Sequence, residues 1–268
     1  MLKVSFLHTR HQISRAAVLG RTLVLTGAVF LIALDVAGCS DSSVLGVNSG
    51  SERRPTAGTG SGNMVMRRVE MRDFSEIEAS APVRVEITRG ESYAVSVSAD
   101  DNVIDHVRIT NAAQVLRIEM KGASFHNASV RVVVTMPDIR AVRIAGASTA
   151  TLSGFKPRQL TAEVAGASRL TGRLDGGELD VSIMQASNLN MGGQAETLRL
   201  MATGASTGGL GDLAVGRASV SLRDASSATV NARDRLDADL RGASSLYYVG
   251  NPSLGSIASV EASSLRRR

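Results

Sequence analysis

The segment AVRIAGASTATL at residues 141–152 returns twenty residues later as TAEVAGASRLTG (161–172) and again as DVSIMQASNLNM (180–191). The Ala-Ser pair at its centre ends on Ser148, Ser168, Ser187, Ser206, Ser226, Ser244 and Ser263, at spacings of 20, 19, 19, 20, 18 and 19 residues. Two apolar positions, five and three residues before each Ala of the pair, accompany it: Val142 and Ile144, Ala162 and Val164, Val181 and Ile183, Leu200 and Ala202, Val220 and Leu222, Ala238 and Leu240. Ile257 with Ser259 is the weakest. A spacing of two marks a strand with one buried face. After the pair, Ala150, Leu170, Leu189, Gly208, Ala228, Leu246 and Leu265 alternate with polar neighbours. Each unit therefore holds at least two short strands that meet at a corner.

A period near 19 selects among repeat architectures. Helical solenoids and propeller blades need longer units, leucine-rich repeats need a Leu frame with an Asn ladder, and calcium-binding β-rolls need Gly-rich nonapeptides. The class that fits is all-β: a parallel β-helix with coils of about 19–20 residues. At about 3.3 Å per extended residue a coil measures roughly 60 Å around, or three sides of about six residues, and coils stack at about 4.8 Å. Equivalent residues then form ladders. Alternation from Ile144 turns Gly146, Ser148 and Ala150 inward, so the ladder Ser148, Ser168, Ser187, Ser206, Ser226, Ser244, Ser263 is read as structural. Each hydroxyl is expected to bond a backbone carbonyl or the next Ser, because a buried one without a partner costs about 1–3 kcal/mol. The same alternation places Thr149, Thr151, Arg169, Thr171, Asn188, Asn190, Thr207, Ser227, Thr229, Ser245 and Tyr247 on an outward polar face, the candidate interaction surface.

Residues 66–140 alternate without repeating. Strands read at Val83–Ile87, Val95–Val97, Val107–Ile109, Leu116–Met120 and Val130–Val134, with turns at Gly90, Asp100–Asn102 and Asn111. They are expected to form the first coils and the N-terminal cap of one domain spanning 66–268.

Upstream, Lys3, Arg10, Arg15 and Arg21 precede an apolar run from Thr22 to Leu34, too short for a transmembrane helix. Val36-Ala37-Gly38-Cys39 follows, then Ser40. This resembles the lipobox of bacterial lipoproteins, which implies a signal peptide at 1–38, lipidation of Cys39 and, from Ser40, an outer-membrane destination. Cys39 is the single cysteine, so its lipidation would leave no free thiol. Residues 39–65, rich in Ser, Gly and Thr, read as a flexible tether. Cleavage lowers the formal charge from +5 to +2, because residues 1–38 hold four basic groups and one acidic group. With no basic stripe interleaved with aromatics, nucleic acid is not an expected partner.

Chemistry-bearing patterns are sparse. No Gly-x-Ser-x-Gly elbow is present, and His106 and His126 stand outside the array, 20 residues apart with no carboxylate motif framing them, so neither a nucleophile nor a metal ligand set is read, and no cofactor is implied. Asp175, Glu178, Asp180, Asp212, Asp234, Asp237 and Asp239 fall largely in connecting segments and read as a solvated edge, although paired carboxylates on a β-helix would suit a glycan-cleaving enzyme. Aromatics make up 3% of the chain, with no Trp; Tyr247 and Tyr248 are the only paired aromatics, and Tyr247 is the expected exposed contact.

The order Phe74-x-x-Ile77, Val83-x-Val85-x-Ile87-x-x-Gly90, Val95-x-Val97-x-Ala99-Asp100-x-Asn102, Leu116-x-Ile118, Met136-Pro137 and the serial Gly-Ala-Ser units resembles the GIN-domain family, bacterial envelope proteins named as autotransporter-adhesin heads. The similarity runs over roughly residues 70–265. It implies a right-handed β-helix and an envelope location, and it supplies no catalytic or binding residues. Gln185, Asp224 and Glu261 depart from the repeat Gly, and a different corner conformation is expected there. Three functions are compatible with these residues: a non-enzymatic lipoprotein that is membrane-held through its lipid and contacts a protein or glycan, a periplasmic structural or regulatory partner, and a carbohydrate-active enzyme.

Overall fold

The computed structural model describes residues 57–122 and 124–268. The proposed leader, Cys39 and the tether up to residue 56 lie outside them. Among the described residues the architecture is all-β, with a single 3₁₀ turn at Ile104–His106 and no helix long and apolar enough to cross a membrane.

The apolar pairs of the repeat become in-register parallel ladders. Ile77, Val142, Ala162, Val181, Leu200, Val220, Ala238 and Ile257 are successive partners along one sheet. Val85, Ala150, Leu170, Leu189, Gly208, Ala228, Leu246 and Leu265 form a second column beyond the corner. Except for Ile257, exposed in the last coil, both columns point into one continuous core, with Phe74, Phe155 and Leu152 among its largest fully buried side chains. In the coil from Ala141 the ladder breaks three times: at the Gly-Ala-Ser corner, at a bulge between Leu152 and Phe155, and at the connector 156–158. In later coils the connector shrinks, and strands such as Asn188–Ala202 and Thr207–Leu222 run through two sides of the coil around a bulge.

The corner itself is a pair of consecutive left-handed residues. Gly146 and Ala147 have φ of 68° and 62°, and the same pairing recurs at Gly166–Ala167, Gly204–Ala205 and Gly242–Ala243. The replaced corners keep it: Gln185–Ala186, Asp224–Ala225 and Glu261–Ala262 all have φ between 55° and 59°. The expected change of conformation at these three positions is thus not found. A left-handed backbone costs an ordinary residue about 1–2 kcal/mol, and stacking offsets it: Ala147 N–H donates to Gly166 O, Ala167 N–H to Gln185 O and Ala186 N–H to Gly204 O.

The N-terminal third departs from a serial winding. Strand Glu76–Ala79 lies between Ala141–Ile144 on one side and Val115–Met120 on the other, and Arg84–Arg89 likewise lies between Thr149–Phe155 and Val130–Met136. The chain thus winds one coil, leaves it, and returns as the coil outside it. The excursion is antiparallel: Ala94–Asp100 pairs with both Met64–Val69 and Val130–Met136, and Val107–Ala112 pairs with Val115–Met120. The turn of that last hairpin is Ala113-Gln114, with φ of 50° and 66°, and the expected turn residue Asn111 sits within the strand. Two left-handed central residues match the strand twist, which is why a two-residue loop closes here.

The tether boundary at residue 65 is also corrected. Ala57–Thr59 pairs in parallel with Ser124–His126, and Met64–Val69 is already a sheet strand. Between them Gly62 N–H and Ser129 N–H donate to the buried Asp100 carboxylate at 2.8 and 3.0 Å. Ser61 Oγ and Asn63 Nδ2 donate to Asp101 at 2.6 and 3.0 Å and hold its pKa below the usual carboxylate value. Backbone carbonyl Thr59 O accepts from Asn102. These acidic groups are used in tying down residues 59–63.

Candidate functional site

Strand alternation decides what each ladder offers. The six serines from Ser148 to Ser244 are buried, at 2% exposure or less, and Ser263 in the last coil is half-buried. Ser148, Ser206 and Ser244 donate their hydroxyls to the carbonyls of Ala145, Thr203 and Arg241 at 2.7–2.8 Å. The hydroxyls of Ser168, Ser187, Ser226 and Ser263 accept the N–H groups of Ser148, Ser168, Ser206 and Ser244 at 3.1–3.3 Å. Among the described residues no buried side-chain polar atom is left without a partner. These hydroxyls face the core and one another, out of reach of a substrate.

The eleven outward positions come together as two columns. Thr149, Arg169, Asn188, Thr207, Ser227 and Ser245 are successive partners; Thr151, Thr171, Asn190, Gly209, Thr229 and Tyr247 run beside them two residues on. None is buried. Thr151 and Thr171 hydroxyls lie 3.4 Å apart across coils. The columns form an open surface of hydroxyls and amides that can exchange hydrogen bonds at a regular coil spacing. Tyr247 differs from its expected role as a free aromatic contact: it is half-buried, and the Arg268 guanidinium sits 4.6 Å above its ring.

The opposite side of the corner carries charge. Arg117 faces Glu78 at 3.1 Å, Arg143 faces Glu76 at 2.7 Å, Arg199 faces Asp180 at 3.4 Å, and Arg235 and Arg241 hold Asp237 and Asp239 at 2.8 and 3.0 Å. The Glu76 bond raises the pKa of Arg143, and the Arg235 guanidinium, followed by the Ser256 N–H, lowers that of Asp237. The Arg117, Arg143 and Arg199 pairs reach across to the neighbouring coil, whereas Arg235–Asp237 and Arg241–Asp239 join residues two apart in the same coil. Asp180, Asp237 and Asp239 are thereby engaged with arginines. Asp175 and Glu178 line a shallow depression of about 730 Å³ together with Glu196, Lys156 and Arg158.

His106 packs against Phe125 in a tilted contact, ring centroids 5.0 Å apart at 60°, and its Nδ1 lies 3.0 Å from the Lys121 carbonyl; His126 is exposed in the strand Ser124–His126. Among the described residues no group of three or more His, Cys, Asp or Glu could hold a metal.

Sequence reading missed a cleft of about 710 Å³ where the connector 156–159 stacks against residues 137–140 and the end of strand Arg84–Arg89. Its residues come from four separate segments, at Glu76, Arg89, 137–143 and 156–161, and the one local signal was the charged Lys156-Pro157-Arg158 run that interrupts the repeat.

Residues 73–252 match the family described as "Putative auto-transporter adhesin, head GIN domain". Among solved structures, the chain is similar to a putative adhesin from Bacteroides fragilis NCTC 9343, with TM-score 0.75 and 18% identity over 78% of this chain and 99% of that one. It is also similar to a putative lipid binding protein from Parabacteroides distasonis ATCC 8503, with TM-score 0.64 and 15% identity over 80% and 100% of the two chains. A third is a putative adhesin from Parabacteroides merdae ATCC 43184, with TM-score 0.58 and 17% identity over 79% and 99%. At these identities the likeness is one of fold. No curated protein matches the chain.

Proposed function

The chain belongs to the family of auto-transporter adhesin head GIN domains, and on that footing we propose that it is a non-enzymatic adhesion module of the bacterial cell envelope, held to the membrane by lipid on Cys39. The observation that carries this reading is the pair of outward columns from Thr149 to Tyr247. Their flat, repetitive hydroxyls and amides suit many weak simultaneous contacts better than one enclosed substrate. Supporting it, the serines are committed to the core, and Asp180, Asp237 and Asp239 are held by arginines. The partner is a protein or glycan on an opposing surface, and the outer membrane is the proposed station.

The test is protease shaving of intact cells that express the full chain, beside Cys39→Ala. The wild-type head is expected to be digested on whole cells and to label with palmitate, and Cys39→Ala to lose the label and leave the membrane fraction. A head fully protected until the outer membrane is opened would refute surface adhesion, and an unlabelled wild-type chain would refute the anchor.

A further inference from the structure

The cleft at the connectors has a composition that the polar columns lack. Five cations border it, Arg89, Arg140, Arg143, Lys156 and Arg158, against two carboxylates, Glu76 and Asp138. Arg143 is already engaged by Glu76 at 2.7 Å and Glu163 at 3.5 Å. Asp138 accepts the N–H of Ile139 at 2.8 Å. Arg89 donates Nε to the Pro137 carbonyl at 3.3 Å, which braces its guanidinium at the rim while both Nη groups remain available. Among the described residues Arg89, Arg140, Lys156 and Arg158 make no ion pair, so four of the five bordering cations carry uncompensated charge. Like charges gathered around a concavity focus the field there and draw in an anion.

The rest of the lining narrows the ligand class. Gln159 and Thr161 offer both donors and acceptors, and with Asp138 they suit hydroxyl groups. Apolar contributions come from Pro137, Ile139 and Ala141 alone, and Ile139 and Ala141 are buried. No aromatic side chain lines the cleft, so it offers no stacking platform for a nucleobase, and it offers no apolar trough for an acyl chain. The neighbouring depression shares Lys156, Arg158 and Gln159 and then turns acidic at Asp175, Glu178 and Glu196. We propose that the cleft binds an anionic saccharide, with a carboxylate, sulfate or phosphate substituent seated among Arg140, Lys156 and Arg158 and a neutral ring extending toward Glu178. This assigns a ligand class to the adhesion reading and rests on it for its biological setting, while the binding itself stands separately.

Calorimetric titration of the purified protein with trigalacturonate, a heparin-derived tetrasaccharide and maltotriose tests it, the first two distinguishing carboxylate from sulfate. At least one charged probe is expected to bind saturably, and maltotriose not to bind. The variant Arg140→Gln/Lys156→Gln/Arg158→Gln should weaken binding about tenfold or more, as loss of several charge-assisted contacts requires. Arg266→Gln/Arg267→Gln/Arg268→Gln, which removes the same charge elsewhere, should change it less than about twofold. All six side chains are exposed, and circular dichroism checks that both variants fold. Absence of saturable binding by both charged probes, equal weakening by the two variants, or equal competition by a DNA oligonucleotide or anionic vesicles would overturn the proposal. Attachment of whole cells is measured in parallel: failure to attach with cleft binding intact refutes adhesion alone, and attachment that persists without cleft binding refutes the cleft alone.

Discussion

Replacing Ser168 by Ala tests whether the hydroxyl ladder holds the coils in register. Ser168 is 2% exposed, its Oγ accepts the Ser148 N–H at 3.1 Å, and its own N–H donates to Ser187 Oγ at 3.2 Å. The substitution leaves the second bond in place and removes the first, so the Ser148 N–H is stranded in a buried corner. A net hydrogen bond is worth about 0.5–1.5 kcal/mol, and an unsatisfied buried donor costs about 1–3 kcal/mol, so the expected loss is about 2 kcal/mol. Equilibrium unfolding in urea gives the total, and native-state hydrogen exchange at the Ser148 amide shows whether the loss is local. Thr207→Ala, at an exposed outward position, is the reference and should stay within about 0.5 kcal/mol of wild type. Equal effects of the two substitutions, or an unchanged exchange rate at Ser148, would refute the structural role of the ladder.

Three further outcomes are expected. At Gly193, with φ of 111°, an added Cβ would lie 1.8 Å from the Leu174 carbonyl oxygen; Gly193→Ala should therefore cost about 3 kcal/mol or more, read as a lowered thermal midpoint. Gln185→Gly relieves a left-handed residue at φ 58° but adds unfolded-state freedom, so a gain of about 0.5–1 kcal/mol in urea unfolding is expected, and destabilisation would contradict the corner assignment. Because Asp237 has its pKa lowered from 3.8 by Arg235 and the Ser256 N–H, its contribution is complete above pH 3.8 and is lost as pH falls through the lower folded value. Asp237→Asn should flatten the urea midpoint against pH below that point, and a slope unchanged from wild type would contradict it.

The repeat was legible because its signal is local. Val142, Ile144, Ser148 and Ala150 lie within nine residues and all four are buried, but the same count also turned Gly146 inward, and Gly146 is exposed where the left-handed corner interrupts the alternation. The outward columns were legible for the same reason. The left-handed alanines were not, since Ala has no intrinsic preference for that conformation and adopts it because the neighbouring coil accepts its N–H. Nor was the order of the first coils: the alternation of Val130–Met136 reads alike in a parallel or an antiparallel pair, and this strand makes both, with Arg84–Arg89 and Ala94–Asp100. The cleft was hidden by distance along the chain, because Arg89, Arg140 and Arg158 become neighbours only once the coils are stacked.

The parallel registers carry a consequence for how such a head can vary. Each coil from Thr161 to Val249 meets its two neighbours through equivalent residues, so its upper and lower surfaces are interchangeable. Deletion or duplication of one whole unit of 18 to 20 residues would rejoin the same strands, corner and serine. The reach of the head is therefore adjustable in steps of about 4.8 Å, with the antiparallel N-terminal excursion as its fixed end, and length can change by unequal recombination without a new core being required.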